Sequence, residues 1–191
     1  EMQRHYELTI QPRIGPGAND AREGLVLNRV IRYTTEGIEY EADPRQAEKL
    51  IRECGLEGSN SVCTPSVRES TAQVAEDKPL EDRLHTAYRA STARANYLAA
   101  DRPDLQYPAK EVCRWMSKPT TNSWASLKRM TRFLGGLPRL VFTYPWQTVD
   151  AVDVYVDTDW AGCPRTRRST SGGCVMLGAH AAKTWSSTQA G

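Results

Sequence analysis

The sequence predicts an α+β protein, with a small hairpin-plus-helix unit first, a helical segment next and an antiparallel three-strand meander last. Three observations predict this fold class. Apolar residues recur at helical spacing in the middle of the chain, they alternate with polar residues near its end, and clusters of glycine and proline separate the segments. We divide the chain into residues 1–56, a linker at 57–80, a helical segment at 81–140 and a sheet segment at 150–191.

In the first unit, the residue pattern predicts strands followed by a helix. Loose alternation covers Tyr6 to Ile14, and strands are expected from Val26 to Tyr33 and from Ile38 to Glu41. Asp43 is the expected N-cap of a helix, and Gly55 is the residue expected to close it. This unit is therefore well specified by local signals.

The linker at 57–80 is rich in serine, threonine, glutamate and proline and has few large apolar side chains to bury. Beyond it, helices are expected from Glu81 to Ala100 and from Ala109 to Met116. Pro108 predicts a late start or a kink in the second helix, because proline in a helix interior costs about 3 kcal/mol.

A third helix, capped at Thr121 or Asn122, combines an apolar stripe with a basic face. The basic residues of that face are Lys128, Arg129 and Arg132. Such a helix is either an ordinary amphipathic helix or a direct nucleic-acid contact, and the residues leave both interpretations open.

The last segment predicts strands at about Val152 to Asp159, Gly173 to Leu177 and Lys183 to Ser186. Because side chains alternate along a strand, Asp157 and Asp159 share a face if the first strand runs on. Two carboxylates on a rigid strand suit Mg²⁺, which prefers oxygen ligands. The same alternation is also typical of a half-buried strand without a metal, with its polar residues facing outward.

Charge changes sign along the chain. Residues 1–107 hold 14 basic and 18 acidic side chains, and residues 108–140 hold seven basic side chains against Glu111 alone. Residues 141–160 hold four Asp and no base, whereas 161–191 hold four bases and no acid. An acidic strand between basic segments suits a nuclease, in which cations contact phosphates while carboxylates hold a metal, but solvated surfaces give the same pattern.

Composition argues against several other classes of protein. The five cysteines have no Cys-x-x-Cys spacing, which argues against a zinc site or a secreted disulfide framework and fits a reducing compartment. No apolar run approaches the roughly 20 residues needed to span a bilayer. With no recognisable targeting signal, we expect an intracellular protein, cytoplasmic or nuclear. His180 has no neighbouring ligand at metal-binding spacing and is expected to be structural or exposed.

Three motifs near the end of the chain resemble the opening of the RNase H domain in the Pol polyprotein of copia-type retrotransposons. They are the Tyr-x-Asp-x-Asp-Trp-Ala-Gly strand at 155–162, the Arg-Arg-Ser-Thr-Ser-Gly turn at 167–172 and the Trp-Ser-Ser strand at 185–187. Upstream segments that are similar to the same family occur in the same order, and they are Ile31 to Leu56, Cys63 to Pro65, Tyr97 to Ala99, Arg102 to Asp104, Met116 to Thr120 and Lys128 to Leu134. The resemblance therefore covers nearly the whole chain.

The resemblance implies a role for each part. Residues 1–56 correspond to the segment after the reverse transcriptase palm, residues 81–140 to a thumb-like connection, and residues 150–191 to an incomplete RNase H-like sheet. By the same resemblance, Asp157 is a catalytic residue that binds magnesium, and Asp159 is an auxiliary candidate. The implied nucleic-acid contacts are Lys128, Arg129, Arg132, Arg167 and Arg168.

Two features of the family are missing. The polymerase motif Tyr-x-Asp-Asp has no counterpart in the sequence, and no Asp or Glu follows Asp159. Because hydrolysis by two Mg²⁺ ions takes around four carboxylates, the site is incomplete within this chain. We therefore expect a fragment of a longer polyprotein that is inactive when isolated, and its status as an enzyme stays open.

The expected partners are nucleic acid, an RNA–DNA hybrid by resemblance, and the remainder of the polyprotein; no membrane partner is expected. Two alternatives remain. The chain is a non-catalytic nucleic-acid-binding module that uses its basic helices, or it is a degenerate transposon remnant, an interpretation supported by Pro108 and by the short sheet.

Overall fold

A computed structural model describes residues 5–7 and 11–189 of the chain. Part of the alternating segment from Tyr6 to Ile14 lies outside these ranges. Within them, Ile14 forms an isolated bridge with Ala21. Two antiparallel sheets and a helical core follow.

The first sheet has four antiparallel strands in the order β1, β2, β3, β4, and these are Glu23–Val26, Arg29–Tyr33, Gly37–Glu41 and Val141–Pro145. Leu27 and Asn28 have φ angles of 52° and 65°, so a two-residue turn joins the first two strands. The single strand expected from Val26 to Tyr33 is therefore wrong, because this turn divides it. A leucine at positive φ is unusual, so Asn28, a residue type that tolerates this conformation, was the one turn signal.

β4 is a strand that the sequence did not predict. It pairs with β3 from Gly37 opposite Pro145 to Glu41 opposite Val141. The buried carboxylate of Glu41 also binds Arg139, with 2.7 Å between Oε2 and Nη2. This ion pair attaches the residues before β4 to the first sheet.

Helix α1 (Pro44–Glu53) confirms the predicted capping. The Asp43 carboxylate accepts a hydrogen bond from the Arg45 N–H at 3.1 Å. At the other end Gly55 has a φ of 64°, and the Leu56 N–H donates to the Ile51 carbonyl at 3.0 Å. A left-handed residue followed by this hydrogen bond is a common helix ending.

Helix α2 (Thr71–Glu76) lies inside the segment expected as a linker. Ser70 accepts from the Gln73 N–H at 3.2 Å, and the Gln73 side chain accepts from the Ser70 N–H at 2.8 Å. This reciprocal capping box has a sequence signature, a serine followed three residues later by glutamine. The low hydrophobicity of the segment concealed that signature.

Helix α3 (Asp82–Ala99) confirms the expected helix, whereas α4 (Pro103–Cys113) corrects the next one. The helix begins at Pro103, and Pro108 is buried within it rather than delaying its start. Pro108 removes one backbone hydrogen bond, to the carbonyl of residue 104. Complete burial of Leu105 and Ala109 on the same helix offsets that loss.

Helix α5 (Thr121–Gly136) begins one residue earlier than expected. Thr120, not Thr121 or Asn122, is the N-cap. Its hydroxyl accepts from the Ser123 N–H at 3.2 Å, and the Ser123 hydroxyl accepts from the Thr120 N–H at 2.8 Å. The serine replaces the usual Glu or Gln of a capping box, so the sequence signal was weak.

The hydrophobic core lies among α1, α3, α4 and α5. Its large, fully buried apolar side chains are Leu50, Tyr88, Leu98, Leu105, Val112, Leu127, Met130 and Leu134. The Tyr88 hydroxyl donates to the Val112 carbonyl at 2.6 Å, which joins α3 to α4.

The second sheet is the expected antiparallel meander, with β5 (Val152–Thr158), β6 (Thr170–Leu177) and β7 (His180–Thr188) in that order. The last two strands are longer than predicted. Every residue of β5 is exposed, and no residue of β6 or β7 is fully buried. The second sheet therefore lacks a core of its own.

Replacing Tyr88 with Phe should lower the free energy of unfolding by about 1 to 2 kcal/mol, because the buried Val112 carbonyl loses a donor while the ring still fills its site. Urea unfolding followed by circular dichroism measures the change. The control Tyr155→Phe, at a position that is 63% exposed, should change it by less than about 0.5 kcal/mol. Equal effects of the two substitutions would contradict the assignment.

Acid should destabilise the fold through Asp43. Hydrogen bonding from the Arg45 side chain lowers the pKa of Asp43 to about 2, against the opposing effect of burial. Since the folded pKa lies below the unfolded one, this contribution is present above about pH 4 and is lost as the pH falls through 2. Arg45 is half exposed, so solvent screens the pair and the contribution is about 1 to 2 kcal/mol.

Asp43→Asn should therefore flatten the dependence of the unfolding free energy on pH between about 5 and 2. Urea unfolding at a series of pH values measures this slope. Asp153→Asn, on the exposed strand β5, is the matched control and should leave the slope unchanged. Identical slopes for the wild type and Asp43→Asn would show that this carboxylate does not report on folding.

Candidate functional site

Asp157 lies on β5, is exposed, and is opposite Gly172 of β6. Strand alternation puts its side chain on the same face as Asp153 and Tyr155. Among the residues that the structure describes, none forms a hydrogen bond or ion pair with its carboxylate. The predicted placement of Asp157 on a strand is confirmed, and its carboxylate is accessible to an external ligand.

The face that carries Asp157 is the one that α4 contacts. The strand register puts Thr184 of β7 and Thr170 of β6 on this face. Gln106 of α4 donates to the Thr184 hydroxyl at 2.8 Å, and the Lys110 ammonium donates to the Thr170 hydroxyl at 2.9 Å. The sheet and the helix therefore form a corner, with Asp157 on the strand farthest from the helix.

Asp159 lies one residue beyond the end of β5. Its carboxylate accepts a hydrogen bond from the Thr170 N–H, and its own N–H donates to the Thr170 carbonyl at 3.1 Å. Asp159 is thus tied to the next strand and does not stand as a second free carboxylate beside Asp157. A metal-binding role for either residue stays a prediction.

The connection between β5 and β6 presents Arg167 and Arg168 to solvent. The Cys163 N–H donates to the Arg168 carbonyl at 3.1 Å, and the Arg167 N–H donates to the Cys163 carbonyl at 2.9 Å. Neither guanidinium binds another residue in the described ranges. The backbone of the turn is therefore fixed while both cations remain available.

The basic face of α5 is in a different situation, because its arginines have partners within the chain. The Arg129 guanidinium donates to the Thr64 hydroxyl at 2.8 Å, and the Arg132 guanidinium donates to the Asn60 carbonyl at 2.8 Å. These two contacts hold residues 60–64 against the helix. Direct contact of this face with nucleic acid stays a prediction.

A groove of about 460 Å³ runs along this face of α5, lined by Lys128 and by the two arginines. The Lys128 ammonium lies 5.2 Å from the centre of the Trp124 ring. Residues 66, 67 and 69 also line a second cavity of about 240 Å³, so the two openings share a wall. The two openings thus lie on either side of the chain segment at 66–69.

The second cavity, which we call the turn cleft, lies between the β5–β6 connection and α4. Aromatic and charged side chains line much of it, and they include Tyr107, Glu111, Arg114, Trp115, Asp159 and Trp160. Burial raises the pKa of Tyr107, and the negative charges of Glu111 and Asp159 raise it further. The sequence had not singled out these α4 residues, because only the tertiary fold brings them to the β5 end.

Cys163 also lines the turn cleft. Partial burial raises the pKa of its thiol, but hydrogen bonds from Thr166 and from the Arg114 guanidinium outweigh burial and lower the pKa to about 7. The distance from Arg114 Nη2 to Cys163 Sγ is 3.3 Å. Hydrogen-bond donors from the turn and from the end of α4 therefore converge on this thiol.

Arg165 joins the β5–β6 connection to the segment before α3. Its guanidinium lies 2.6 Å from the Asp77 carboxylate and 3.1 Å from the Glu69 carboxylate, and 4.9 Å from the centre of the Trp115 ring. The sequence did not predict this contact, because both carboxylates lie 88 or more residues before Arg165. Arg165 positions the turn and is not a free cation.

The described residues do not assemble a complete metal site. In the ranges 5–7 and 11–189, no group of three or more His, Cys, Asp or Glu side chains is arranged to hold an ion. The Asp157 carboxylate is free, but hydrolysis with two metal ions needs several more ligands. The residues present therefore do not fit a two-magnesium centre, and we derive no hydrolytic step from them.

Among the described residues, no helix combines the length and the apolar character that crossing a bilayer requires.

The chain is similar to proteins of Arabidopsis thaliana. It is 33% identical over 184 residues to the retrovirus-related Pol polyprotein from transposon RE2, an alignment that covers 96% of this chain and 11% of that protein. It is 37% identical over 103 residues to the corresponding polyprotein from transposon RE1, which covers 53% of this chain and 7% of that protein. It is 29% identical over 174 residues to the uncharacterized mitochondrial protein AtMg00810, with 91% of this chain and 63% of that protein covered.

The chain thus spans less than two thirds of each of these relatives. No protein-family model matches the sequence, and no solved structure matches the fold. The alignment with the RE2 polyprotein nevertheless runs along almost the entire chain. The relatives of this chain therefore include retrovirus-related Pol polyproteins from transposons, which confirms the resemblance that the sequence predicted, and the chain aligns with one segment of them.

Proposed function

We propose that this chain is the stretch of a copia-type Pol polyprotein that leads from the reverse transcriptase into the RNase H domain, and that it holds an RNA–DNA hybrid at the second sheet. One observation carries the proposal. The free carboxylate of Asp157 lies on a strand whose connection to the next strand presents the exposed cations Arg167 and Arg168. In this proposal β5, β6 and β7 are the first half of an RNase H-like sheet.

Phosphate recognition supports this assignment. Nucleic-acid backbones attract cations that are not already neutralised, and each phosphate contact releases condensed counterions. Arg167 and Arg168 meet that condition, because no described residue binds their guanidinium groups. Lys110 adds a third charge in the corner beneath the sheet, although Glu111 lies 2.7 Å from its ammonium group.

In the longer polypeptide we assign Asp157 as one magnesium ligand, with Asp159 as an auxiliary. The other ligands are assigned to residues outside this chain. RNA-directed DNA synthesis and hydrolysis of the RNA strand likewise belong to the whole polyprotein in this proposal. The isolated chain contributes binding and no catalytic step.

A second candidate is a non-catalytic nucleic-acid-binding module centred on α5. The groove of about 460 Å³ lined by Lys128, Arg129 and Arg132 favours it. Its support is weaker, because both arginines already donate to residues 60–64. The third interpretation, a degenerate remnant, loses its support from Pro108, which α4 accommodates in a buried position.

Neutralising Arg167 and Arg168 together to Gln should weaken binding of an RNA–DNA hybrid. It should also reduce the slope of log affinity against log salt by about 1 to 2, because each lost phosphate contact removes about one released counterion. Fluorescence anisotropy of a labelled blunt hybrid across a salt series measures both quantities.

The matched variant neutralises Arg129 and Arg132 to Gln and should change the slope less, because these side chains have partners within the chain. A larger change in this variant would support the α5 module instead. If the wild-type chain binds no hybrid, or binds it equally at low and high salt, both candidates fail.

The isolated chain should not cleave the RNA strand of a hybrid in the presence of Mg²⁺, since it offers Asp157 without the remaining carboxylates. Gel analysis of end-labelled RNA tests this. In a longer Pol polypeptide that contains this chain, Asp157→Asn should reduce cleavage by about two orders of magnitude or more, whereas Asp153→Asn should not. Cleavage by the isolated chain, or full activity of Asp157→Asn, contradicts the assignment.

A further inference from the structure

Trp160 is the most exposed large apolar side chain in the described part of the protein, with 92% of its surface accessible. A tryptophan carries about 150–250 Å² of largely apolar surface, and a site that leaves it in water gains nothing from its burial. The aromatic and cation–π pairs among the described residues do not include Trp160. Its ring is therefore available to an external partner.

The backbone on both sides of Trp160 is fixed. The Asp159 N–H donates to the Thr170 carbonyl at 3.1 Å, and the Ala161 N–H donates to the Ser169 hydroxyl at 2.9 Å. Ala161 has a φ of 48°, a conformation that β-carbon-bearing residues adopt only when the surrounding structure holds them there. A rigid turn thus presents the indole, so binding to it costs little backbone ordering.

Trp160 forms part of the wall of the turn cleft, together with Tyr107 from α4 and with Arg114, the residue that follows α4. The cleft holds about 240 Å³, less than the roughly 300–1,000 Å³ of sites for drug-sized ligands, and suits one flat ring system. Its walls combine aromatic rings with guanidinium groups. That combination stacks on nucleobases and attracts the adjoining phosphates, whereas an apolar peptide requires mainly aliphatic walls.

Cations suited to those phosphates surround the cleft. Arg68 lines it and is exposed, and its side chain has no hydrogen-bond or ion-pair partner among residues 5–7 and 11–189. Arg167 and Arg168 lie a few residues beyond Trp160 on the same connection and are equally free. The carboxylates of Glu69, Glu111 and Asp159 also line the cleft and balance its three arginines. The excess positive charge near the exposed ring is therefore that of Arg167 and Arg168, and it is complementary to a nucleic-acid strand.

We infer that Trp160 is a stacking platform for one unpaired nucleobase of a single strand that adjoins the hybrid. The inference rests on the proposed function and makes it more specific, because a base inside a hybrid is paired and stacked on its neighbours, whereas insertion beside the indole requires an unpaired base with a free face. Only a single-stranded overhang or a displaced strand offers such a base. The chain therefore distinguishes a hybrid with a single-stranded extension from a blunt one.

Trp160→Ala should weaken binding of single-stranded oligo(dT), and of a hybrid with an overhang, about tenfold, while affinity for a blunt hybrid stays within about twofold. Trp160→Phe retains a ring and should recover most of the affinity. The control Trp146→Ala removes another exposed indole, 54% accessible, which contacts Tyr33 in the first sheet and should leave all three affinities unchanged.

Tryptophan fluorescence gives a second readout. Oligo(dT) should quench the wild-type emission, and the quenched component should be absent from Trp160→Phe although binding persists. The affinity ratio between wild type and Trp160→Ala should stay the same across a salt series, because stacking releases no counterions. Replacing Arg167 and Arg168, by contrast, should change the slope of log affinity against log salt.

The outcomes separate this inference from the proposed function. If blunt hybrid binds but Trp160→Ala binds oligo(dT) as tightly as the wild type, the stacking platform is refuted and the proposed function stands. If no nucleic acid binds, both are refuted. Self-association of the wild type that Trp160→Ala abolishes, measured by sedimentation, would assign the indole to a protein contact and also overturn the inference.

Discussion

The second sheet has no buried core, so its polar contacts with the helical part of the protein decide where Asp157 stands. The strongest of these contacts runs through Arg165, which lies 2.6 Å from the Asp77 carboxylate. The Asp77 side chain is only 3% exposed, and removing one member of such a pair would leave the other charge buried and uncompensated. Together with the bond between Lys110 and Thr170, this pair fixes the corner in which the candidate site lies.

The number of basic residues in a stretch of sequence overstates the number of cations that are free to contact a phosphate backbone. Residues 108–140 hold seven basic side chains, and their excess over acid suggested a basic surface. In the fold, however, Arg139 binds the buried Glu41, and Arg132 binds the Asn60 carbonyl. The sequence shows the charges but not their acceptors, which lie tens of residues away. The free cations are therefore fewer than the composition implies, and the turn after β5 is where two of them adjoin.

Local sequence signals predicted the elements that depend on neighbouring residues. They failed for the elements that depend on contacts between residues far apart in the sequence. Asp43 and Gly55 fixed the ends of α1, and strict alternation located β5. β4 was missed because its partner β3 lies about 100 residues earlier, and Pro108 was misjudged because its burial in the core depends on the other helices. At the candidate site the same distinction holds. Exposure of Asp157 follows from its strand, whereas the turn cleft around Trp160 exists only because α4 packs nearby.

Apolar and polar residues alternate along β5. This pattern is compatible with a strand that offers carboxylates and with a strand that has one buried face, and periodicity alone does not distinguish the two. In the fold, Val152, Val154 and Val156 lie on the face opposite Asp157, yet they remain 59% to 70% exposed. The valines are exposed because α4 contacts the other face of the sheet. The Asp157 face of β5 is exposed as well, because β5 is an edge strand and α4 bonds to β6 and β7 rather than to β5. Access to the Asp157 carboxylate is therefore a consequence of the position of its strand in the sheet, since the same alternating residues in the middle strand would be partly covered.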